Sequence, residues 1–126
     1  NKLELNGAER VYGLNPDAKI PGLDHARSLC SKEGIYSSDV DLVPLEDGDR
    51  AEALSEMNKT VITIDLNPIS RTSRAADITI VDNITRAVKN MLKLEPLDKR
   101  FDNRKNLNKV LEYMSDRLNK LAETKD

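Results

Sequence analysis

Four short runs rich in β-branched residues, at residues 10–14 (RVYGL), 40–45 (VDLVPL), 60–66 (TVITIDL) and 78–81 (ITIV), stand out from the polar sequence around them and read as strands. Helix-forming stretches lie between and after them. Residues 50–57 place Ala53, Leu54 and Met57 on one helical face, and residues 70–76 form a shorter helical stretch. Residues 84–94 carry Ile84, Ala87, Val88, Met91 and Leu92 on one helical stripe. Strand and helix therefore alternate, which predicts an α/β fold: a parallel sheet with flanking helices, joined by right-handed crossovers. The spacing leaves the strand order open. Residues 103–122 repeat Leu107, Val110, Leu111, Met114, Leu118 and Leu121 at three- and four-residue steps, the pattern of a long C-terminal amphipathic helix with a narrow apolar seam. That helix either covers its own sheet or meets a partner subunit. We accordingly divide the chain into an α/β body, residues 1–96, and a terminal helix, residues 97–126, whose last four residues read as a frayed end.

At 126 residues with 38% hydrophobic content, the chain has room for one core. Its formal charge of −2 is spread without a basic block, and it holds no Trp, one Phe and three Tyr, which argues against a nucleic-acid module. One Cys and one His supply neither an intramolecular disulfide nor a four-ligand zinc site. No stretch approaches the ~18 consecutive apolar residues of a membrane span, and the opening residues lack the order of a signal peptide, so a soluble, cytoplasmic protein without membrane partners is expected. The chain opens Asn1-Lys2-Leu3-Glu4-Leu5-Asn6-Gly7 without an initiator Met, like the tail of an element cut short. A fragment of this kind leaves apolar surface to be buried by a missing half or a partner chain.

Each predicted strand ends in polar residues: Asn15-Pro16; Glu46-Asp47-Gly48-Asp49-Arg50; residues 65–72 (DLNPISRT); and Asp82-Asn83. In an open parallel sheet the ligand crevice lies outside the carboxyl ends of the strands, so the four clusters are expected to converge, although any one of them is also ordinary turn and cap chemistry. Asn67-Pro68 suits a helix N-cap followed by Pro at the first helical position, with free N–H groups turned toward an anion. Ser70 and Thr72 add hydroxyls there. Arg71 adds a guanidinium fork for phosphate or carboxylate, or else pairs at the surface with Glu46 or Asp82. Neither G-x-x-x-x-G-K-[ST] nor G-x-G-x-x-G is present, so any nucleotide is held by another scheme. The crowded carboxylates of Glu46, Asp47 and Asp49 are neutralised by a Mg²⁺ carried on a nucleotide, or Asp47 or Asp49 simply caps the next helix. The long connector, residues 15–38, holds Lys19 and Arg27 as candidates for an anionic substrate and His25 as a candidate proton shuttle; all three also read as solvated bystanders. Cys30 reads as a small apolar residue.

Five segments carry a resemblance: residues 13–16 (GLNP), 20–25 (IPGLDH), 42–50 (LVPLEDGDR), 64–72 (IDLNPISRT) and 76–84 (ADITIVDNI). With them the chain resembles the archaeal 4-phosphopantoate–β-alanine ligase family, also called archaeal phosphopantothenate synthetase, from about residue 10 to residues 101–103 and the helix beyond. Members of that family are considerably longer, and this chain corresponds to their carboxy-terminal half. The resemblance implies a Rossmann-like, homodimeric enzyme of coenzyme A biosynthesis. It would join 4-phosphopantoate to β-alanine through an acyl-adenylate, splitting ATP to AMP and diphosphate. It further implies ATP contacts from Asp65, Leu66, Asn67, Arg71, Thr72, Asn83 and Ile84. For that chemistry we expect Asp47 or Asp49 at Mg²⁺ and Lys19, His25 or Arg50 at the phosphopantoate, with His25 and Arg50 as catalytic candidates. The family also uses arginines near its amino terminus that have no counterpart here, so this chain alone is expected to be nearly inactive. Two other classes fit the same residues: a nucleotide-binding module without chemistry, and a subunit-interaction piece in which the polar turns are caps.

Overall fold

The fold is known from a computed structural model that describes residues 2–45, 47–95 and 100–123. A short helix, α1 (Lys2–Leu5), precedes an antiparallel two-strand ladder of β1 (Ala18–Lys19) and β2 (Leu29–Cys30), with a 3₁₀ turn (His25–Ser28) between them and an irregular helical turn (Lys32–Tyr36) after them. The main sheet follows as β3 (Val40–Pro44), α2 (Gly48–Glu56), β4 (Thr60–Ile64), α3 (Arg71–Ala75) and β5 (Ile78–Ile80). Helices α4 (Ile84–Met91) and α5 (Asn103–Glu123) complete the chain. The sheet is parallel throughout in the order β3-β4-β5, with Val40 opposite Thr60 and Ile62 opposite Ile78. This is the α/β architecture with flanking helices and a long terminal helix that the alternation predicts. The boundary placed between residues 96 and 97 lies outside the described residues.

The first expected strand is the exception. Residues 10–14 are not a strand: Gly13 takes φ +93°, which breaks the extended run, and its N–H donates to Ser31 Oγ at 2.8 Å. The strand pairing lies instead within the connector, where Asp17 N–H donates to the Cys30 carbonyl at 3.1 Å and Ile20 N–H to that of Ser28 at 2.8 Å. This ladder turns Ile20 and Cys30 into the core beside Val43, Ala51, Ala53, Leu54, Val61 and Ala76. Cys30 is thus the small apolar residue expected of it, and burial pushes its thiol pKa up.

Period-two alternation sets which sheet face is covered. Asp41 and Val43 are buried, whereas Val40 and Leu42 on the opposite face are 54% and 46% exposed. The central strand β4 buries Val61, Thr63 and Ile64, and the Thr63 hydroxyl donates to the Val43 carbonyl at 2.7 Å. At the other edge α5 supplies what a fourth strand would. Thr79 N–H donates to Asn103 Oδ1 at 2.8 Å, and Asn106 Nδ2 donates to the Thr79 carbonyl at 3.0 Å, so the edge groups of β5 are satisfied by side-chain amides. Asn103 Nδ2 also reaches the carbonyls of Ser73 and Ala76, at 3.0 and 2.8 Å. Beyond this anchor only Leu107 is buried on α5, while Met114 and Leu118 stay 42% and 64% exposed. The helix covers its own sheet with its first turns alone. Among the described residues no helix is long and apolar enough to cross a membrane.

Replacing Asn103 with Ala removes the side-chain partner of Thr79 N–H and of the Ala76 carbonyl in a half-buried seam, while the Ser73 carbonyl keeps the Thr79 hydroxyl at 2.8 Å. We expect a loss of about 2–3 kcal/mol in urea unfolding. Leu118→Ala, on the exposed part of the same helix, is expected to change stability by less than about 0.5 kcal/mol.

Candidate active site

The turn after β3 is fastened to α3. Asp47 N–H donates to Thr72 Oγ1 at 3.0 Å, and Thr72 is wholly buried, so its hydroxyl belongs to the scaffold. Gly48 permits the approach, because a Cβ there would stand 2.7 Å from Arg71 Cβ. Asp47 also caps α2, accepting from Arg50 N–H at 3.3 Å. The same seam brings the start of α2 beside Arg71.

Arginines and carboxylates gather there. Arg27, from the 3₁₀ turn, bridges Asp47 and Asp49, donating to Asp49 Oδ2 at 2.8 Å. Arg71 reaches Asp49 Oδ1 at 2.9 Å and Glu52 Oε2 at 2.8 Å. Of the two partners expected for it, Asp82 is taken by Arg86, and Glu46 lies outside the described residues. Hydrogen bonds from Arg27 and then Arg71 hold the Asp49 carboxyl below its usual pKa, and Arg71 does the same for Glu52. Arg50 points back into the fold, its Nη2 donating to the Arg27 carbonyl at 3.2 Å and its Nε buried 3.6 Å from Asp47 Oδ2. It lines neither neighbouring cleft and positions Arg27 instead.

These contacts decide how Mg²⁺ fits. Both oxygens of Asp49 accept from guanidinium groups, as does Asp47 Oδ1, and Asp47 Oδ2 faces Arg50. A metal needs those lone pairs, and among the described residues no group of three potential ligands gathers. Asp47 and Asp49 do not fit a directly bound Mg²⁺; the cluster is built to hold guanidinium groups in place.

A cleft of about 500 Å³ opens over this cluster, with His25, Arg27, Asp49, Glu52 and Arg71 on its walls. His25 is exposed and sits at φ +55°, an uncommon conformation for a non-glycine residue. Lys19 is elsewhere, on a shallow groove with Asp17, Lys32 and Tyr36. Of the three residues expected at the substrate, only His25 faces the arginine cleft.

A second, smaller cleft of about 160 Å³ lies at the carboxyl ends of the strands, where Leu45, Asp65, Leu66, Asp82, Asn83 and Ile84 meet. Four of the residues implied by the resemblance, Asp65, Leu66, Asn83 and Ile84, are therefore brought together. Leu45, which the sequence reading passed over, is held at φ +72° at the end of β3, and its N–H donates to the Ile64 carbonyl at 3.0 Å. Asn83 caps α4, accepting from Thr85 N–H at 3.0 Å. Asp65 is buried and organises the turn between the clefts, accepting from Asn67 N–H at 2.9 Å and from the Ser70 hydroxyl.

That carboxylate displaces the expected helix start. Asn67 is not the cap: its Oδ1 accepts from Ile69 N–H at 3.1 Å in an Asx turn, and Ser70 caps α3 by accepting from Ser73 N–H at 3.0 Å. At five residues, α3 is too short to present a dipole to an anion. Positive charge comes from Arg27 and Arg71 instead. Arg27 and Glu52 are the cluster members that sequence reasoning underrated; the signal for Glu52 was its i, i+3 spacing from Asp49 on α2.

Comparison with known proteins gives the family. The family model described as phosphopantothenate/pantothenate synthetase matches residues 1–123. A 4-phosphopantoate–β-alanine ligase of Thermococcus onnurineus is 54% identical over 90% of this chain and 48% of its own length, and that of Thermococcus kodakarensis is 51% identical over the same shares. A third, from Methanosarcina mazei, is 49% identical over 96% of this chain and 52% of its own length. The chain spans about half the length of these curated relatives. It belongs to the phosphopantothenate/pantothenate synthetase family.

Proposed function

We propose that this chain carries the nucleotide-binding half of an ATP-dependent ligase that joins 4-phosphopantoate to β-alanine, the reaction partners that its relatives' names give, in coenzyme A biosynthesis in the cytoplasm. The observation that carries the reading is the meeting of Asp65, Leu66, Asn83 and Ile84 in one cleft at the ends of β4 and β5, one turn away from Arg71. ATP takes this crevice, with Asn67 and Arg71 on the phosphate side and Thr72 holding the turn that aims them. The carboxylate of 4-phosphopantoate attacks the α-phosphorus, diphosphate leaves, and the β-alanine amine then displaces AMP from the acyl carbon. The step accumulates negative charge on phosphate oxygens. Guanidinium groups stabilise such charge when it is held in a site screened from water.

Asp49 and Glu52 act here as placeholders. They keep Arg71 and Arg27 extended toward the larger cleft until phosphate oxygens offer a stronger partner. In that cleft Arg27 and His25 meet the phosphopantoate, with His25 the candidate to take a proton from the attacking amine. Lys19 and Arg50 contribute less directly, Lys19 from its own groove and Arg50 through Arg27.

The protein acts as a homodimer in this reading. The Val110, Leu111, Met114 and Leu118 row on α5 continues past the docked first turns and gives a second copy an apolar strip of helical spacing. Met114→Glu with Leu118→Glu is expected to shift sedimentation from dimer to monomer while the circular dichroism spectrum holds. A dimer that persists would remove α5 as the contact.

Calorimetric titration with Mg·ATP tests the nucleotide site. Arg71→Ala is expected to cost about 1.5–3 kcal/mol of affinity, the worth of a charged hydrogen bond to phosphate, and Asn67→Ala to weaken binding as well. In a protein of the relatives' full length, both changes should cut AMP release in the presence of 4-phosphopantoate and β-alanine. Unchanged affinity in both variants would make the polar turns structural and the ligase assignment of this site wrong.

A further inference from the structure

A third cleft, larger than either of those just described, lies elsewhere on the described residues. It has a volume of about 800 Å³ and lies between α3 and the start of α5, on the flank of the sheet. Arg74, Arg100 and Arg104 line it. Arg27, Arg50, Arg71 and Arg86 all sit within ion-pair distance of carboxylates, but among the described residues no ion pair engages these three. Two acids share the cleft, and each is turned toward the backbone: Asp77 Oδ2 accepts from Val61 N–H at 2.8 Å, and Asp102 Oδ1 accepts from Lys105 N–H at 2.9 Å. The cleft's lining thus carries a net positive charge beside exposed apolar residues, Ile69 at 62% and Phe101 at 47%.

We infer that this cleft is a second anion site, for an organic phosphate whose body is aromatic or apolar. Guanidinium forks that no carboxylate holds within ion-pair distance, although Arg74 acts on Glu52 from farther away, match phosphate oxygens without an ion pair having to break. The Phe101 face and Ile69 give the organic part a surface to cover that would otherwise stay in water. A bare inorganic anion uses only the first of these features. A phosphate ester uses both. The site is set apart from the arginine cleft by α3: Arg74 lines it, whereas Arg71, one turn earlier, lines the arginine cleft. The inference does not rest on the ligase reading.

Phenyl phosphate and inorganic phosphate are suitable probes, titrated into this chain with amide shifts followed by NMR. Phenyl phosphate is expected to move the amides of Phe101, Asn103 and Asn108 and to bind several-fold more tightly than inorganic phosphate. Arg100→Ala with Arg104→Ala should weaken it roughly tenfold. Phe101→Ala should remove the preference for phenyl phosphate but keep the weaker inorganic binding, a pattern that a misfolded variant would not give. Three results would overturn the inference: no shifts in the cleft at millimolar probe, equal affinity for the two anions, or binding that is lost in Arg71→Ala and kept in the double variant. The last would place the phosphate in the arginine cleft over α2.

Discussion

The arrangement hangs on one short contact, the seam between the start of α2 and α3. Asp47 N–H meets a buried Thr72 hydroxyl, and Gly48 lets the two backbones come close enough for it. The cost of burying a hydroxyl is offset by that bond, and the return is placement: Arg71 comes to rest across from Asp49 and Glu52 on the neighbouring helix. Arg27 arrives from the other side because the β1–β2 ladder packs Ile20 and Cys30 into the same core. Three separate stretches of chain thereby meet at one charged cluster.

The cluster also explains why the proposed site suits an anion better than a directly bound metal. Carboxylates that crowd one turn are costly unless a cation neutralises them, and here the cations are side chains of the chain itself. At the exposure of Arg27, Asp49 and Arg71 such pairs contribute little to stability. Their consequence is orientation. An arginine held loosely by a solvated carboxylate is already extended and can change partners cheaply when a phosphate arrives.

What was legible in the sequence followed local rules. The β-branched runs at β3, β4 and β5 and the apolar stripes of α4 and α5 announced themselves because each depends on residues a few positions apart. Among the expectations that failed, two show how another part of the fold intervened. Gly13 interrupts the first apolar run, so the pairing falls to residues with weaker strand character that happen to face each other across the connector. Asn67-Pro68 has the chemistry of a helix start, but the buried Asp65 carboxylate gathers Asn67 N–H and the Ser70 hydroxyl into a turn and delays α3 to Arg71. Of the four polar clusters expected to converge, those after β4 and β5 do meet in one cleft, as the topology of parallel sheets suggests. Asp47 and Asp49 lie at the arginine cluster instead, and Asn15-Pro16, with no strand before it, lines neither cleft. The pairing of Arg27 with Asp47 and Asp49 was not legible, since it depends on how the long connector, residues 15–38, folds back.

The most direct test of the account is where Mg·ATP touches this chain, read as NMR shifts of backbone amides and of the Arg71 Nε–H. Shifts at Asp65, Leu66, Asn67, Asn83 and Ile84, together with a change at Arg71 Nε–H as it leaves Glu52, are the predicted result. Shifts confined to residues away from the strand ends, with the Arg71 signal unmoved, would contradict it.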